Sequence, residues 1–224
     1  MLLTRQRIIM GNLYNSITAI CVCYRTKDLV QTAIESFRKF YPDMPLIVVD
    51  NSAREGKCTR YLREFVNADE KTMHLLMGEN VGHGPGMDYA LKAIKTEWAY
   101  IFDSDTEMIK GGLVEFAELA IKDKIILAVG HLQLVSASGL GNEQRKQKVN
   151  IPYVHPAVCF INRLVYAGFP PFKYHGAPCI DTYARVHKTG QSKQLLLDIP
   201  VNQFVKHGWR GTRSFYKMKP WTNK

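Results

Sequence analysis

Within the first 105 residues, four short runs of apolar, β-favouring residues each stop at a polar or glycine-rich cluster, and stretches with helical spacing separate them. Ile17 to Tyr24 stops at Arg25-Thr26-Lys27, Leu46 to Val49 at Asp50-Asn51-Ser52, Met73 to Met77 at Gly78 to Gly86, and Trp98 to Phe102 at Asp103-Ser104-Asp105. Leu29, Ala33, Ile34, Phe37 and Phe40 recur at the spacing of a helix over Asp28 to Phe40, which Pro42 and Pro45 end. Tyr61, Leu62, Phe65 and Val66 make a second helical stripe, and Pro85 suits the first turn of a third helix that Asp88 to Lys95 continues. This alternation predicts the α/β class, with a parallel sheet covered on both faces. Ligands of such sheets sit at the carboxyl ends of the strands. Tyr24-Arg25, Asp50-Asn51, Asn80-Val81-Gly82 and Asp103-Ser104-Asp105 are therefore the candidate clusters.

The back half is less regular. Leu113 to Ile121 and Asp181 to Lys188 read as helices, the latter stopped by Gly190. Ile125 to Leu134, Val154 to Ile161 and Leu195 to Ile199 read as strands, and Ser136 to Asn150 as a polar, basic loop. No internal repeat or low-complexity linker interrupts the chain, so residues 1–224 are expected to form a single domain. A hydrophobic content of 46% supplies a full core and excludes a disordered or fibrous chain. No apolar run reaches the roughly 18 residues that cross a bilayer. Residues 1–16 also lack the apolar centre of a signal peptide, so the expectation is a soluble, cytoplasmic protein, with contact at a membrane surface left open. Cys21, Cys23, Cys58, Cys159 and Cys179 are odd in number and without Cys-x-x-Cys spacing, which reads as reduced, mostly core thiols.

Charge divides the chain. Residues 1–112 hold 14 Lys and Arg against 14 Asp and Glu, whereas residues 113–224 hold 16 against 6, so the whole net charge of +10 lies in the second half. A neutral front half and a basic back half point to an anionic partner on the back half.

Asp103-Ser104-Asp105 is the cluster with the clearest chemistry. Two carboxylates at the end of a buried strand repel one another unless a cation joins them, and Mg²⁺ or Mn²⁺ takes such hard oxygen ligands while keeping positions for phosphate oxygens. A solvated turn in which Asp105 caps the next helix is the competing reading.

Taken in order, Tyr24-Arg25-Thr26, Val48-Val49-Asp50-Asn51-Ser52, Glu79-Asn80-Val81-Gly82 and Phe102-Asp103-Ser104-Asp105 resemble the nucleotide-sugar half of a family 2, GT-A fold glycosyltransferase. Cys159-Phe160-Ile161-Asn162-Arg163, Ala167-Gly168-Phe169 and Val205-Lys206-His207 extend the resemblance, which covers about residues 17–212. It implies a Rossmann-like, mostly parallel sheet flanked by helices, with a nucleotide-sugar half over about 17–112 and a smaller acceptor-side half over about 113–224. It also implies a nucleotide diphosphate sugar as donor, UDP-linked by expectation, and Mn²⁺ or Mg²⁺ as cofactor.

The implied roles attach to single residues. Asp50 matches the acid that binds the base or ribose, with a cap or turn former as the alternative. Tyr24 and Arg25 match the segment packed around the base, and Asn80 and Gly82 the loop beside the nucleotide. Asp103-Ser104-Asp105 meets the donor, with Asp103, Asp105 and a late histidine, His207, holding the metal. A surface or core histidine is the competing reading of His207. The catalytic base of the family belongs to a Glu-Asp pair before a helix. Pro178 and Cys179 stand there instead, and Asp181 falls two residues later, so Asp181 as base and inversion as outcome are expectations that this departure puts in question. Another base or a retaining reaction is the alternative, and a simple cap of the helix is the structural reading of Asp181.

Other classes fit less well. A dinucleotide-binding domain wants Gly-x-Gly-x-x-Gly after the first strand, where Tyr24-Arg25-Thr26-Lys27-Asp28 has no glycine. Sugar nucleotidylyltransferases want a glycine-rich basic loop there, and a P-loop wants Gly-Lys-Ser or Gly-Lys-Thr; neither occurs. A non-catalytic nucleic-acid-binding protein on the same fold draws support from the basic, aromatic C-terminus. For the enzyme, an envelope glycan or a phosphate-linked lipid is the expected acceptor. A hydroxymethylated base in DNA, as in phages that glycosylate their own bases, is the alternative. If duplex DNA is the acceptor, neutralising Arg210, Arg213, Lys217 and Lys219 will weaken binding and flatten its dependence on salt in a titration. Binding indifferent to both would remove DNA from the candidates.

Overall fold

The computed structural model describes residues 16–52, 55–122, 124–139 and 149–208. The elements run β1 (Ile17–Cys23), α1 (Lys27–Phe40), β2 (Leu46–Asp50), α2 (Lys57–Ala68), β3 (Thr72–Leu76), α3 (His83–Ala93), β4 (Trp98–Asp103), β5 (Thr106–Met108) and α4 (Leu113–Ile121). They continue through β6 (Ala128–Ser136), β7 (Val149–Asn162), α5 (Arg163–Tyr166), α6 (Ile180–Lys188), α7 (Ser192–Leu195), β8 (Leu196–Asp198), a 3₁₀ turn (Val201–Gln203) and β9 (Val205–His207). One sheet has the order β3-β2-β1-β4-β7-β6-β8, and β5 pairs with β9 in a second. The pairs β3-β2, β2-β1 and β1-β4 are parallel, while β7 runs antiparallel to both β4 and β6.

Every residue of β1 and β2 is buried, as befits apolar strands covered on both faces. Phe37 of α1 and Leu62 of α2 pack on one face with Ala19, Cys21, Cys23 and Val48. Met87, Ala90 and Leu91 of α3 pack on the other with Ile20, Val22, Ile47 and Val49. Helices therefore change face between β1 and β4, which makes that pair the topological switch point where crevices open in α/β sheets.

Register then decides which way the strand-end acids point. Cys23 pairs with Asp50, and Val22 pairs with Asp103. Successive strand residues alternate between faces, so Asp50 goes with Cys23 to the α1/α2 side and Asp103 goes with Val22 to the α3 side.

Three features depart from the sequence reading. α3 begins at His83, inside the stretch read as a glycine loop, because Gly84 and Gly86 let the helix lie against backbone and the sheet: a Cβ at Gly84 would stand 2.6 Å from the Lys173 nitrogen. β7 is longer than Val154 to Ile161 despite Pro152 and Pro156. Pro152 pairs with Leu134 where β7 has no β4 neighbour, and Pro156 falls in the register break between Gly130 and Leu132, both places that spare a proline the missing donor. The three-residue pairing of β5 with β9 was not expected, being too short to leave a periodic signal.

A part-buried guanidinium fixes the far end of the parallel layer. Arg38 donates from Nε to Asp69 Oδ2 at 2.7 Å, from Nη1 to the Tyr41 and Met44 carbonyls at 3.1 and 2.6 Å, and from Nη2 to Thr72 Oγ1 at 2.7 Å. It ties α1, the start of β2 and the start of β3 together. Removing a part-buried guanidinium that donates four such bonds costs about 2 kcal/mol. Arg38→Ala is expected to lower the unfolding free energy by that amount, seen as a lower urea midpoint at an unchanged m-value; a loss below about 1 kcal/mol would show the network to be peripheral.

Candidate active site

Asp103 closes β4, whose residues Trp98 to Phe102 are all buried. The chain turns at Ser104-Asp105, and the Thr106 hydroxyl locks the turn by donating to the Asp103 carbonyl at 2.7 Å. β9 then pairs antiparallel with β5, His207 opposite Thr106, and the Gly208 nitrogen donates to the Asp105 carbonyl at 2.7 Å. A Cβ at Gly208 would sit 2.9 Å from that carbonyl, so the close approach needs glycine. The pairing brings His207 Nε2 to 3.1 Å from Asp105 Oδ1 and 3.7 Å from Asp103 Oδ2. One ligand atom each from Asp103, Asp105 and His207 lies within 4.8 Å of the others. Two carboxylates and an imidazole form a donor set suited to Mn²⁺ or Mg²⁺. Asp103 Oδ1 is buried, with His83 Nε2 3.1 Å away.

Sequence reasoning found His207 but missed three other histidines here. His83 opens α3 against Asp103. His155 lies in the register break of β7, its ring centroid 5.9 Å from that of His207. His175 packs beneath Gly82, where a Cβ would meet its ring at 2.9 Å. None carries a local pattern, because each arrives from a different element.

The electrostatics follow. For Asp103, burial pushes the carboxyl up, but His83, then His207 and His155, outweigh it and hold it below the usual range. For His83, burial pulls the imidazole down, and the charges of Asp103 and Asp105 reverse that into a net rise. His207 is raised in the same way, its bond to Asp105 and the charge of Asp103 overcoming burial. His155 goes the other way. Burial pushes it down to about 4, with repulsion from His207, His131 and His83 added and attraction to Asp103 insufficient to compensate.

On the α1/α2 side, Arg25 has φ of 57°, the left-handed region that a non-glycine residue enters at a cost. Its nitrogen donates to Ser52 Oγ at 3.3 Å and its guanidinium lies 5.2 Å from the centre of the Tyr24 ring. Asp50 is fully buried. Oδ1 accepts from the Ser52 nitrogen at 2.9 Å, and Oδ2 accepts from the Thr59 hydroxyl at 2.8 Å and lies 3.3 Å from His74 Nε2. Burial raises this carboxyl, but the bonds from His74, Ser52 and Thr59 bring it below its ordinary value. Asp50 thus shapes the loop that carries Ser52 and presents no oxygen to solvent. Asn51 donates from Nδ2 to the Gly82 carbonyl at 3.0 Å, and Asn80 Oδ1 accepts from the Gly82 nitrogen at 3.2 Å, with Gly82 at φ 100°. A cavity of about 870 Å³ opens over this side, lined by Arg25, Lys27, Ser52, Lys57, Cys58, Arg60 and Tyr61 among others. Asp103, Asp105 and His207 do not line it, so cavity and acid-histidine cluster are separate features of one sheet edge.

Asp181, the second residue of α6, stands apart from that cluster. Tyr174 donates its hydroxyl to Asp181 Oδ2 at 3.1 Å, and Lys173 Nζ lies 3.8 Å away. This loop rests on the start of α3 through a bond from the Gly84 nitrogen to the Tyr174 carbonyl at 3.0 Å. Arg210, Arg213, Lys217 and Lys219 lie outside the described residues.

His155 gives the site a pH signature of definite sign. Its folded value near 4 is below the ordinary ~6.5, so the unfolded chain takes up the proton first. Its contribution is complete above ~6.5 and drains as pH falls toward the folded value, reaching a loss of about 2 kcal/mol at pH 5. The stability gap between pH 7 and pH 5 in metal-free protein is expected to shift by about 2 kcal/mol in His155→Gln, because the opposing rises of His83 and His207 are common to both proteins. An equal gap in the variant would exclude His155 as the cause.

The profile of glycosyl transferase family 2 matches residues 18–181. Among solved structures, the chain is similar to the mannosyltransferase PcManGT of Pyrobaculum calidifontis in complex with GDP-Man and Mn²⁺, at 15% identity and a TM-score of 0.62, covering 83% of this chain and 55% of that one. It is also similar to S. aureus TarS (1-349) in complex with UDP-GlcNAc, at 17% identity and a TM-score of 0.53, covering 75% and 53%. The chain thus spans about half the length of these structures, and at these identities the likeness is one of fold. A search of curated proteins gives no match. The matched profile spans β1 to the start of α6, with both acid clusters inside it, and the chain belongs to glycosyl transferase family 2.

Proposed function

We propose that this chain is a metal-dependent glycosyltransferase that moves a sugar from a nucleotide diphosphate to a hydroxyl acceptor. The observation that carries the reading is the convergence of Asp103, Asp105 and His207 from β4, the following turn and β9. Nucleotide diphosphate sugars accompany both similar structures, GDP-Man with Mn²⁺ in one and UDP-GlcNAc in the other, which supports the same class of donor here. Asp103, Asp105 and His207 would hold Mn²⁺ or Mg²⁺. Bound there, the cation supplies charge neutralisation for the departing diphosphate.

The chain's own residues do the rest. Tyr24 and Arg25 flank the nucleotide, Arg25 pre-set by its left-handed backbone, and Asn80 and Gly82 form the wall between nucleotide and α3. Ser104, buried in the Asp-Ser-Asp turn, keeps the two carboxylates on one side. Asp50 acts by positioning Ser52 instead of by touching the nucleotide. Asp181 accepts the acceptor proton as the new bond to the anomeric carbon forms and the bond to the diphosphate oxygen breaks, which gives inversion. Tyr174 and Lys173 hold its carboxylate in place. In this reading residues 17–112 make the donor half and 113–224 the acceptor half of a single domain, joined where β7 enters the sheet beside β4 and β9 pairs with β5. The excess of basic residues after residue 112 suits an anionic acceptor, an envelope glycan or phosphate-linked lipid first and a modified DNA base second. Among the described residues no helix is long and apolar enough to cross a membrane.

A screen of UDP- and GDP-sugars for Mn²⁺-dependent hydrolysis tests the reading. One donor should be hydrolysed, EDTA should abolish the activity, and Asp105→Ala should lower kcat/KM by about 10²–10³-fold. Hydrolysis indifferent to EDTA and to Asp105→Ala would overturn it.

A further inference from the structure

A second set of metal-ligating side chains lies on the opposite face of the same sheet edge. Cys23 ends β1, Asp50 ends β2 in register with it, and Cys58 is the second residue of α2. One ligand atom from each lies within 4.8 Å of the others, and all three residues are buried. The two sulfurs are 3.9 Å apart. Two thiolates on one tetrahedral zinc, each at about 2.3 Å, stand about 3.8 Å apart, so the side chains need no rearrangement to share a cation. The Asp50 carboxylate is already oriented: Thr59 and the Ser52 nitrogen hold it, and His74 Nε2 lies 3.3 Å from Oδ2. Hydrogen bonds that hold a ligating carboxylate from behind are the outer support that metal sites use. Oδ1 accepts a single bond here and keeps a lone pair.

We infer that Cys23, Cys58 and Asp50 form a site for a soft divalent cation of the zinc class, distinct from the hard-oxygen site at Asp103. The protein supplies three ligands, and Cys58 lines the 870 Å³ cavity, so the fourth position opens toward water in that cavity. On binding, each thiol releases its proton to solvent as its sulfur coordinates, and nothing is oxidised or reduced. The two thiolates and the carboxylate leave the complex with one net negative charge, facing a cavity lined by Arg25, Lys57 and Arg60. The placement of Cys58 in the first turn of α2 favours that charge as well. The inference does not depend on the proposed glycosyl transfer, since its ligands, its face of the sheet and its preferred cation all differ.

Cadmium separates the two sites, because only a thiolate gives an ultraviolet sulfur-to-cadmium charge-transfer band. Reduced, metal-free full-length protein carrying Asp105→Ala should develop the band and saturate at a single equivalent of Cd²⁺. Adding Cys58→Ser to that background should remove the band. In the same background, Zn²⁺ should raise the melting temperature by a few degrees. Zn²⁺ should also shield Cys23 and Cys58, mapped by mass spectrometry, from alkylation at least tenfold while leaving Cys21, Cys159 and Cys179 unchanged. The alkylation arm uses no cysteine variant, so it stands even if Cys58→Ser folds poorly. No band in the parent, a band that survives Cys58→Ser, or equal alkylation with and without Zn²⁺ would each overturn the site.

Discussion

A carboxylate removed from water must be compensated where it lies, and this fold withdraws two of them, Asp50 fully and Asp103 in part, at the ends of the two parallel strands that flank β1. Asp50 and Asp103 meet that demand differently. Asp50 is held by a backbone nitrogen, a hydroxyl and an imidazole, which fix its orientation. Asp103 is faced by imidazoles instead, and Asp105 and His207 stand close enough that the three could share a cation. The first arrangement fixes a loop, and the second leaves chemistry undone. Much of the remaining architecture can be read as what is required to bring partners to these two acids.

Those partners come from far along the chain. Thr59 and Cys58 reach Asp50 through a crossover helix of the parallel layer, a local solution. Asp103 draws on His83 from the next crossover, but also on His155 from β7 and His207 from β9, more than 100 residues later for the last contact with Asp105. The back half is thus tied to the front by two different devices. β7 extends the sheet beside β4, and the three-residue pairing of β5 with β9 fastens the end of the described chain onto the Asp-Ser-Asp turn.

The sequence makes the parallel layer legible because period and punctuation agree there: apolar runs, helical stripes and strand-end polar clusters each carry their own signal. Asp103, Asp105 and His207 were legible as a set through ordered motifs. The other three histidines were not, since a lone imidazole in a loop or strand has no pattern. Pro152 and Pro156 hid the length of β7, for a proline reads as a break unless register and edge position are known. Asp50 was legible as a strand-end acid but not as a buried one, because its fate depends on which face the strand parity assigns and on what α2 places there.

That parity has a chemical consequence. Because Val22 and Cys23 are consecutive, the acids paired with them face opposite helical layers, and each layer contributes its own ligand type. The α3 side offers carboxylate and imidazole, a set that accepts Mn²⁺ or Mg²⁺ and leaves room for phosphate oxygens. The α1/α2 side offers two sulfurs with a single carboxylate oxygen, a set that hard cations do not favour. Zinc binds more tightly than manganese to either set by the general order of affinities, but thiolates widen its margin. A thiolate pair on the far side of the sheet would therefore draw zinc away from the Asp103 cluster, and one register step in β1 keeps the two ligand sets on separate faces.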